Sequence, residues 1–209
     1  MPSLDRRRDL LLTLVLVCIG LTPGWLAPHW LSVPWLLAGL LLGAPAVYAS
    51  WTHAPWMPTP TDELPRILGH LALGPDQSFC DLGAGDGRMV LRVHAATGAR
   101  CTGIELSPLQ YLIARARIAL VGSARTSIRL GDLYAADLSA HDAVYVWGTA
   151  YSVGTPRFAE HVRRALRPGA RLVSYHHPVR GLEPVLVDRA GQRPIHVYVI
   201  PDPVTGGAR

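Results

Sequence analysis

The chain has 209 residues, of which 49% are hydrophobic and 17% charged, and its mean hydropathy is +0.21. This length allows one ordinary domain and an additional segment. The formal net charge is +5, and all 20 basic residues are arginines. Apart from Arg6-Arg7-Arg8 these arginines are scattered, with no basic stripe and no interleaved aromatic residues. The charge pattern therefore does not favour a nucleic-acid partner.

The three cysteines, Cys18, Cys80 and Cys101, form no CxxC pair and no cluster with metal-ligand spacing. We therefore predict neither a disulfide framework nor a bound metal. Cys80 and Cys101 fall in apolar strand patterns, where a free cysteine behaves as a small hydrophobic residue. This usage fits a reducing compartment.

The N-terminal segment is uncharged, because residues 10–61 contain no aspartate, glutamate, lysine or arginine. Two apolar stretches, residues 10–27 and 30–50, each approach the length that crosses a bilayer core of about 30 Å. Proline and glycine residues lie at the join, which favours a transmembrane helical hairpin. The alternatives are a single span followed by an interfacial segment, and a cleaved signal peptide.

The orientation of this hairpin follows from Arg6-Arg7-Arg8, which precede the first apolar stretch. Positive charge before a first span favours a cytoplasmic N-terminus, and two spans return the chain to the same side. We therefore predict a membrane anchor over residues 1–52 in the cell (inner) membrane. A linker follows over residues 53–61, and a domain facing the cytoplasm covers residues 62–209.

Helix and strand patterns alternate from residue 62 onward, which predicts a parallel sheet covered on both faces. The expected N-caps are Thr61 or Asp62 for the first helix and Ser107 for the third. The predicted fold is α/β, a Rossmann-like doubly wound sheet with a C-terminal antiparallel hairpin. The predicted helices cover residues 63–73, 86–98, 107–122 and 156–169, and the predicted strands cover 78–83, 101–106, 126–132, 142–148 and 170–177, followed by the hairpin over 184–200.

A glycine-rich turn, FCDLGAGDGRMV over residues 79–90, follows the first predicted strand. Ligands of open α/β sheets bind outside the carboxyl ends of the strands. Gly83, Gly85 and Gly87 allow positive φ angles and close backbone approach there. The dinucleotide fingerprint G-x-G-x-x-G would need its last glycine where Arg88 stands. The spacing is instead G-x-G-x-G, with Asp81 ahead of it.

Three carboxylates end the first three predicted strands. Asp81 would repel a pyrophosphate but suits a ligand with an ammonium group. Glu105 can accept both hydroxyls of a ribose, and Asp132 can accept from an adenine amino group. Together they describe S-adenosylmethionine as the cofactor.

These residues resemble the motifs of class I S-adenosylmethionine-dependent methyltransferases. The likeness covers residues 62–200 and includes the segment Asp81–Gly87, Glu105 and the pair Gly131-Asp132. It implies that Asp81, Gly83, Gly85, Gly87, Glu105 and Asp132 bind the cofactor.

A closer likeness is to the mitochondrial protein-lysine methyltransferases that modify ATP synthase subunit c and the adenine nucleotide translocase. It rests on Pro58-Thr59-Pro60 and on the segments DLGAGDGRMVL, GIELSP, GDLYAADLSAHDAVYVWG and LRPGARLVSYHHP. It implies a bacterial enzyme that methylates lysine on a membrane-associated protein, with Thr59 close to the cofactor. The two-span N-terminus and the short connection before the hairpin depart from that family. A lipid or quinone acceptor, and a non-catalytic cofactor-binding membrane protein, stay open as alternatives.

Methyl transfer is an in-line displacement that depends mainly on positioning and the exclusion of water. Tyr145 and Trp147 end the fourth predicted strand two residues apart, hence on one face. They are the candidate catalytic residues, as walls of an acceptor channel that could hold an ammonium group by cation–π attraction. Alternatively, they only pack the sheet.

Four further polar positions lie near the predicted site. Asp137 and Asp142 are expected to form turns or caps. His176-His177 is expected to be a solvated pair. Arg88 has either a surface role or a contact with the cofactor carboxylate.

Overall fold

The computed structural model describes residues 33, 37 and 39 and residues 57–201. Residues 57–201 belong to the second of two compact units, which spans Ala46–Arg209. The elements are α1 (Leu64–Leu71), β1 (Ser78–Leu82), α2 (Arg88–Thr97), β2 (Arg100–Glu105), α3 (Pro108–Val121), β3 (Thr126–Leu130), β4 (Ala143–Val146), α4 (Pro156–Ala165), β5 (Arg171–Tyr175), β6 (Leu186–Asp188) and β7 (Ile195–Val199), with short 3-10 helices at Thr61–Glu63 and Leu133–Ala135.

The predicted membrane anchor falls almost entirely outside the described residues. Of residues 1–52 the structure describes Val33, Leu37 and Gly39, which are helical. Within the part of the chain that the structure describes, no helix has the length and apolar character needed to cross a bilayer.

The seven described strands form one sheet in the order β3-β2-β1-β4-β5-β7-β6. The pairs among β1 to β5 are parallel, whereas β7 runs antiparallel to both β5 and β6. The strand order reverses between β1 and β4, where open α/β sheets bind their ligands. The predicted Rossmann-like sheet and terminal hairpin are confirmed.

The central strands β1, β4 and β5 are buried on both faces of the sheet, and their alternating side chains enter two separate core clusters. Cys80 and Val144 belong to the core cluster that contains Phe158 of α4. Phe79 and Tyr145 belong to the opposite cluster, which α1 and α2 cover. Trp147 packs against that second cluster as well, so Tyr145 and Trp147 share a face as expected. This continuous burial is typical of parallel strands.

Capping explains where two of the helices begin. Ser107 Oγ accepts from the Gln110 amide at 3.5 Å, and Pro108 occupies the first position of α3. Gly87 precedes α2 with φ 75°, and Gly98 ends it with φ 71°. The predicted Ser107 cap and the predicted end at Gly98 are confirmed, whereas α2 begins at Arg88, two residues after the predicted start. Cys80 and Cys101 are buried free thiols, also as expected.

Two other predicted helix boundaries were wrong. Neither Thr61 nor Asp62 caps α1, because both lie inside the preceding 3-10 helix. The Asp62 carboxylate instead accepts from Gln192 Nε2 at 2.5 Å. Helix α4 ends at Ala165, ahead of the predicted stop at Pro168-Gly169, because Leu166 already has extended backbone with ψ 141°.

Candidate active site

A cavity opens at the carboxyl ends of β1, β2 and β4, beside the point where the strand order reverses. Eight of the predicted site residues line this cavity. Seven of them lie at the carboxyl edge of the sheet, and Thr59 lies in the segment ahead of α1. The predicted residues that line the cavity are Thr59, Asp81, Gly83, Gly85, Glu105, Asp132, Tyr145 and Trp147.

The turn after β1 has the conformation that its glycines permit. Gly83, Gly85 and Gly87 have φ angles of 80°, 55° and 75°, in the region that favours glycine. The amides of Gly83 and Ala84 both donate to the carbonyl of Ile104, at 2.9 and 3.0 Å. Gly87 serves a different purpose from the other two: a Cβ there would lie 3.1 Å from Ala114 Cβ of α3. It permits close helix packing and does not line the cavity.

Glu105 ties this turn to the start of α3. One carboxylate oxygen accepts from the Gly85 amide at 2.7 Å, and the other accepts from the Ser107 amide at 2.8 Å. Burial raises the pKa of Glu105, although these amide donors oppose the rise. Each oxygen keeps a second lone-pair direction with which it could accept a ribose hydroxyl.

Asp81 is 3% exposed and lies in register with Tyr145 across the β1–β4 pair. Burial, together with the negative charges of Glu105 and Asp86, raises the pKa of Asp81 to about 8. A cationic group brought into the cavity would favour the charged carboxylate. The site is therefore suited to an ammonium group beside Asp81.

Asp86 stabilises the turn through two ion pairs, a role that the sequence pattern did not indicate. Its carboxylate binds Arg88 Nη2 at 2.7 Å and Arg117 Nη1 at 2.6 Å. Arg117 also donates to the Asp86 carbonyl at 3.1 Å. Burial alone would raise the pKa of Asp86, but the two guanidinium groups outweigh burial and lower it. Arg88 both lines the cavity and pairs with Asp86.

The opposite side of the cavity is aromatic. The Tyr145 hydroxyl lies 3.1 Å from Thr59 Oγ1, and both side chains are buried. Trp147 packs edge-on against Tyr175, with ring centroids 5.0 Å apart. Burial raises the pKa of Tyr145 well above its usual value, so this phenol stays protonated at neutral pH.

The remaining predicted positions have structural contacts. Asp132 lines the cavity and accepts from the Tyr134 amide at 2.9 Å, which caps a 3-10 helix. Asp137 accepts from the Ser139 amide at 3.0 Å, and Asp142 accepts from the Ser78 amide at 2.8 Å. The first bond confirms the turn assignment of Asp137. The second is a long-range contact in which Asp142 holds the first residue of β1, and not a local turn or a helix cap. His176-His177 does not contribute to the cavity lining.

Two buried polar atoms without a partner among the described residues show what kind of hydrogen-bonding groups a ligand of the cavity would need. Within residues 57–201, Gln110 Oε1 and Trp147 Nε1 are buried and have no hydrogen-bond partner, and both residues line the cavity. One is an acceptor and the other a donor. The cofactor offers ammonium, hydroxyl and amino donors together with a carboxylate acceptor, so the polar groups present fit it. Among the described residues no group of His, Cys, Asp and Glu could hold a metal ion.

Comparison with known proteins gives a family and several relatives. Residues 81–186 match the family model described as the ANTKMT methyltransferase domain. A protein-lysine N-methyltransferase of Saccharolobus islandicus (strain REY15A) is 28% identical over 150 residues, which cover 69% of this chain and 92% of that protein. A demethylmenaquinone methyltransferase of Tropheryma whipplei (strain Twist) is 33% identical over 116 residues, which cover 54% of this chain and 48% of that protein.

Among solved structures, an RNA methyltransferase from Salinibacter ruber in complex with S-adenosyl-L-homocysteine is similar to this chain. The TM-score is 0.66 at 28% identity, and the match covers 70% of this chain and 95% of that one. The family match begins at Asp81 and continues to the start of β6, so it includes strands β2 to β5 and the cavity residues from Asp81 onward. Met57, Pro58 and Thr59, which also line the cavity, lie ahead of the matched residues. The chain belongs to the ANTKMT methyltransferase domain family and is an S-adenosylmethionine-dependent methyltransferase.

Proposed function

We propose that this methyltransferase modifies lysine side chains of a membrane-associated protein. The observation that carries the proposal is the length of the likeness to the Saccharolobus islandicus protein-lysine N-methyltransferase, 92% of that protein. The match to the demethylmenaquinone methyltransferase covers 48% of its relative. A likeness that extends over nearly a whole enzyme supports a shared acceptor class more strongly than one limited to half. The Salinibacter ruber RNA methyltransferase also matches over 95% of its chain, but the arginines of this chain form no basic stripe with interleaved aromatic residues, which favours lysine over RNA.

The aromatic side of the cavity supports a lysine acceptor. A lysine ammonium can first be attracted to the faces of Tyr145 and Trp147. Desolvation then lowers its pKa and favours loss of the proton to solvent, leaving the nitrogen lone pair free to attack. Tyr145 is unsuited to act as the base, because burial keeps its phenol protonated. In this proposal the two rings position the acceptor and exclude water.

The polar side of the cavity would hold the cofactor. Asp81 would bind its ammonium group, Glu105 its ribose hydroxyls and Asp132 its adenine amino group. Gly83 and Gly85 would let the backbone approach it, Gly87 would fix α2 against α3, and Thr59 would close the cavity. When bound, S-adenosylmethionine supplies a methyl group on a positively charged sulfur.

The membrane assignment rests on the sequence. Residues 10–61 contain no aspartate, glutamate, lysine or arginine, and Arg6-Arg7-Arg8 precede them. We propose that this segment anchors the enzyme in the cell membrane with the methyltransferase domain on the cytoplasmic side. Acceptors that lie in or beside the same membrane would then be within reach.

A quinone or lipid acceptor is the second candidate. It is supported by the demethylmenaquinone methyltransferase of Tropheryma whipplei, which is 33% identical over the matched residues. An apolar acceptor dissolved in the bilayer would suit the same anchor and the same aromatic wall.

The test is to incubate the purified full-length protein with methyl-tritiated S-adenosylmethionine and host membranes. Label is then measured separately in protein, in an organic-solvent extract and in RNA. We expect label in protein, recovered as methyllysine after acid hydrolysis. Because this chain contains no lysine, side-chain methyllysine in the hydrolysate must come from an acceptor protein.

Two controls make the result decisive. The Glu105→Ala variant should leave all fractions unlabelled, and acetylating the membrane lysines beforehand should abolish protein labelling. Label that partitions into the organic extract would support the quinone or lipid acceptor and contradict the lysine proposal. Label in RNA would contradict both.

A further inference from the structure

One wall of the cavity is formed by Met57, Pro58 and Thr59, which precede α1. Thr59 is 6% exposed, and its hydroxyl bonds to Tyr145. The wall is not part of any strand or helix. Contacts other than the hydrogen-bond ladder of a strand or helix must therefore hold it over the site.

The chain continues directly from this wall into a charged cluster. The Glu63 amide donates to the Pro60 carbonyl at 3.3 Å, so the backbone from Pro60 to Glu63 forms one tight turn that begins directly after Thr59. Glu63 is only 3% exposed. Its carboxylate accepts from the Gln192 amide at 2.7 Å and forms an ion pair with Arg66.

The other half of the cluster comes from the β6–β7 hairpin. Arg66 Nε donates to Asp188 Oδ2 at 3.1 Å, and His70 Nε2 lies 2.7 Å from the same oxygen. Asp188 also accepts from the Ala190 amide at 2.8 Å, inside the hairpin connection. We call the group of Glu63, Arg66 and Asp188 the latch.

The latch leaves no room at the tip of the hairpin. A Cβ added to Gly191 would collide with the guanidinium of Arg66 and the carboxylate of Glu63. Both are the ends of flexible side chains, so a larger residue would displace them without disturbing the core. Since Gly191 itself is exposed, the hairpin tip could accommodate a methyl group once the latch has opened.

We propose that the latch is a positioning device for the cofactor: it holds the Met57–Thr59 wall against Tyr145 and thereby sets how tightly the cavity retains S-adenosylmethionine. None of the three latch residues lines the cavity. Glu63 acts through the Pro60–Glu63 turn, which directly follows Thr59, and Arg66 and Asp188 act through Glu63. This proposal concerns cofactor retention and does not depend on which acceptor is methylated.

The test compares Gly191→Ala with Gly69→Ala in the full-length protein. A Cβ at Gly69, on the exposed side of α1, meets no atom within 4 Å. The two variants therefore carry the same chemical change in neighbouring elements, with and without a collision. S-adenosylhomocysteine affinity is measured by calorimetry, and hydrogen–deuterium exchange is followed in the peptides that cover residues 57–63.

For Gly191→Ala we expect the dissociation constant of S-adenosylhomocysteine to rise about tenfold, a change of about 1.4 kcal/mol. Amide exchange over residues 57–63 should become faster, and Gly69→Ala should change neither quantity. If the latch only stabilises the fold, Gly191→Ala should lower the melting temperature. The affinity for S-adenosylhomocysteine and the amide exchange over residues 57–63 should then stay unchanged. That outcome would overturn the proposal.

A second pair of variants guards against a collision effect peculiar to Gly191. Asp188→Asn removes the charge that Arg66 contacts, and Asp188→Glu keeps it on a longer side chain. We expect the first to weaken S-adenosylhomocysteine binding by several fold and the second to recover most of the affinity. Equal affinities in wild type and Asp188→Asn, with Asp188→Asn folded, would also contradict the proposal.

Discussion

The two sides of the cavity are built by different means. The polar side comes from one continuous stretch, Asp81 to Asp132, in which backbone amides hold the carboxylates of Glu105 and Asp132 and arginines hold that of Asp86. The aromatic side combines Tyr145 with Thr59, which is 86 positions away in the chain. It also combines Trp147 with Tyr175 of the next strand.

This difference indicates how each side should respond to change. A carboxylate that organises a backbone turn leaves unpaired amides behind when it is removed, and buried unpaired groups are costly. Ring packing distributes its contribution over many weak contacts. We therefore expect large effects on cofactor binding from the polar side and smaller, more selective effects from the aromatic side.

The largest effect is expected from Glu105→Ala. The substitution removes the acceptor of the Gly85 and Ser107 amides, as well as the group expected to bind the ribose. S-adenosylhomocysteine affinity should fall at least about 100-fold, or roughly 3 kcal/mol. Calorimetry measures this directly. Asp137→Ala is the matched control, because it removes a carboxylate that lies outside the cavity lining; wild-type affinity in Glu105→Ala would show that the polar side does not hold the cofactor.

The next largest effect is expected in the pH dependence of cofactor affinity, which Asp81 should control. Burial raises the pKa of Asp81 to about 8, and a bound ammonium group would favour the carboxylate, so binding must release a proton below that pH. S-adenosylhomocysteine affinity should therefore rise between pH 6 and 8, by up to about tenfold per pH unit, and level off above pH 8. Proton release appears in calorimetry as a dependence of the binding enthalpy on the buffer.

The carboxyl group of Asp81 should also make the free energy of unfolding depend on pH, with a sign opposite to that of the affinity. An unfolded aspartate has a pKa near 3.9, so between about pH 4 and pH 8 the folded protein binds more protons at Asp81 than the unfolded chain does. Stability contributed by this group is present below pH 4 and is lost as the pH rises toward 8. Asp81→Asn should remove both dependences. If the slope of affinity against pH persists in Asp81→Asn, another group binds the ammonium.

A smaller effect is expected from Tyr145→Phe, which removes the hydroxyl that contacts Thr59. We expect kcat to fall about tenfold, equivalent to about 1.4 kcal/mol. The Michaelis constant for S-adenosylmethionine should change less than threefold because the latch still holds the wall. Initial rates with the labelled acceptor measure both constants.

Tyr198→Phe is the control for this substitution. Its hydroxyl is buried and accepts from the Val179 amide at 2.8 Å, on the other face of the sheet. It should lower the free energy of unfolding by about 1 kcal/mol and leave kcat unchanged. Equal losses of kcat in the two variants would mean that the aromatic side has no specific role.

The smallest effect is expected from Arg167→Gln. Arg167 pairs with Asp142 at the amino end of the sheet, and its side chain is 52% exposed. Solvent screening limits such pairs, so the free energy of unfolding should fall by less than about 1 kcal/mol. Denaturant titration measures the loss. A change in S-adenosylhomocysteine affinity would show that the two ends of the sheet are coupled.

The sequence predicted the sheet and the polar side of the site well, because both depend on local patterns. Alternating buried strands and capped helices specify the parallel sheet, and the glycine spacing specifies the turn. The second partner of Asp86 could not be predicted, because Arg117 reaches it from α3. A two-residue spacing from Asp86 to Arg88 was the only local signal for that cluster.

The latch and the start of α1 illustrate what local patterns miss. Thr61 and Asp62 have the residue types of helix N-caps, and this favoured the wrong boundary. In the folded protein Asp62 and Glu63 bind Gln192 across the domain, and the chain enters α1 through a 3-10 turn. These long-range bonds determine the local conformation, and nothing in the spacing of residues 57–66 indicates them.

A crystal structure of the full-length protein with S-adenosylhomocysteine tests the account most directly. The account predicts that the ammonium group lies against Asp81, the ribose hydroxyls against Glu105 and the adenine amino group against Asp132. The sulfur should face Tyr145 and Trp147, with Thr59 still bonded to Tyr145. A ligand bound with its ammonium group away from Asp81, or with its sulfur turned away from the two rings, would contradict it.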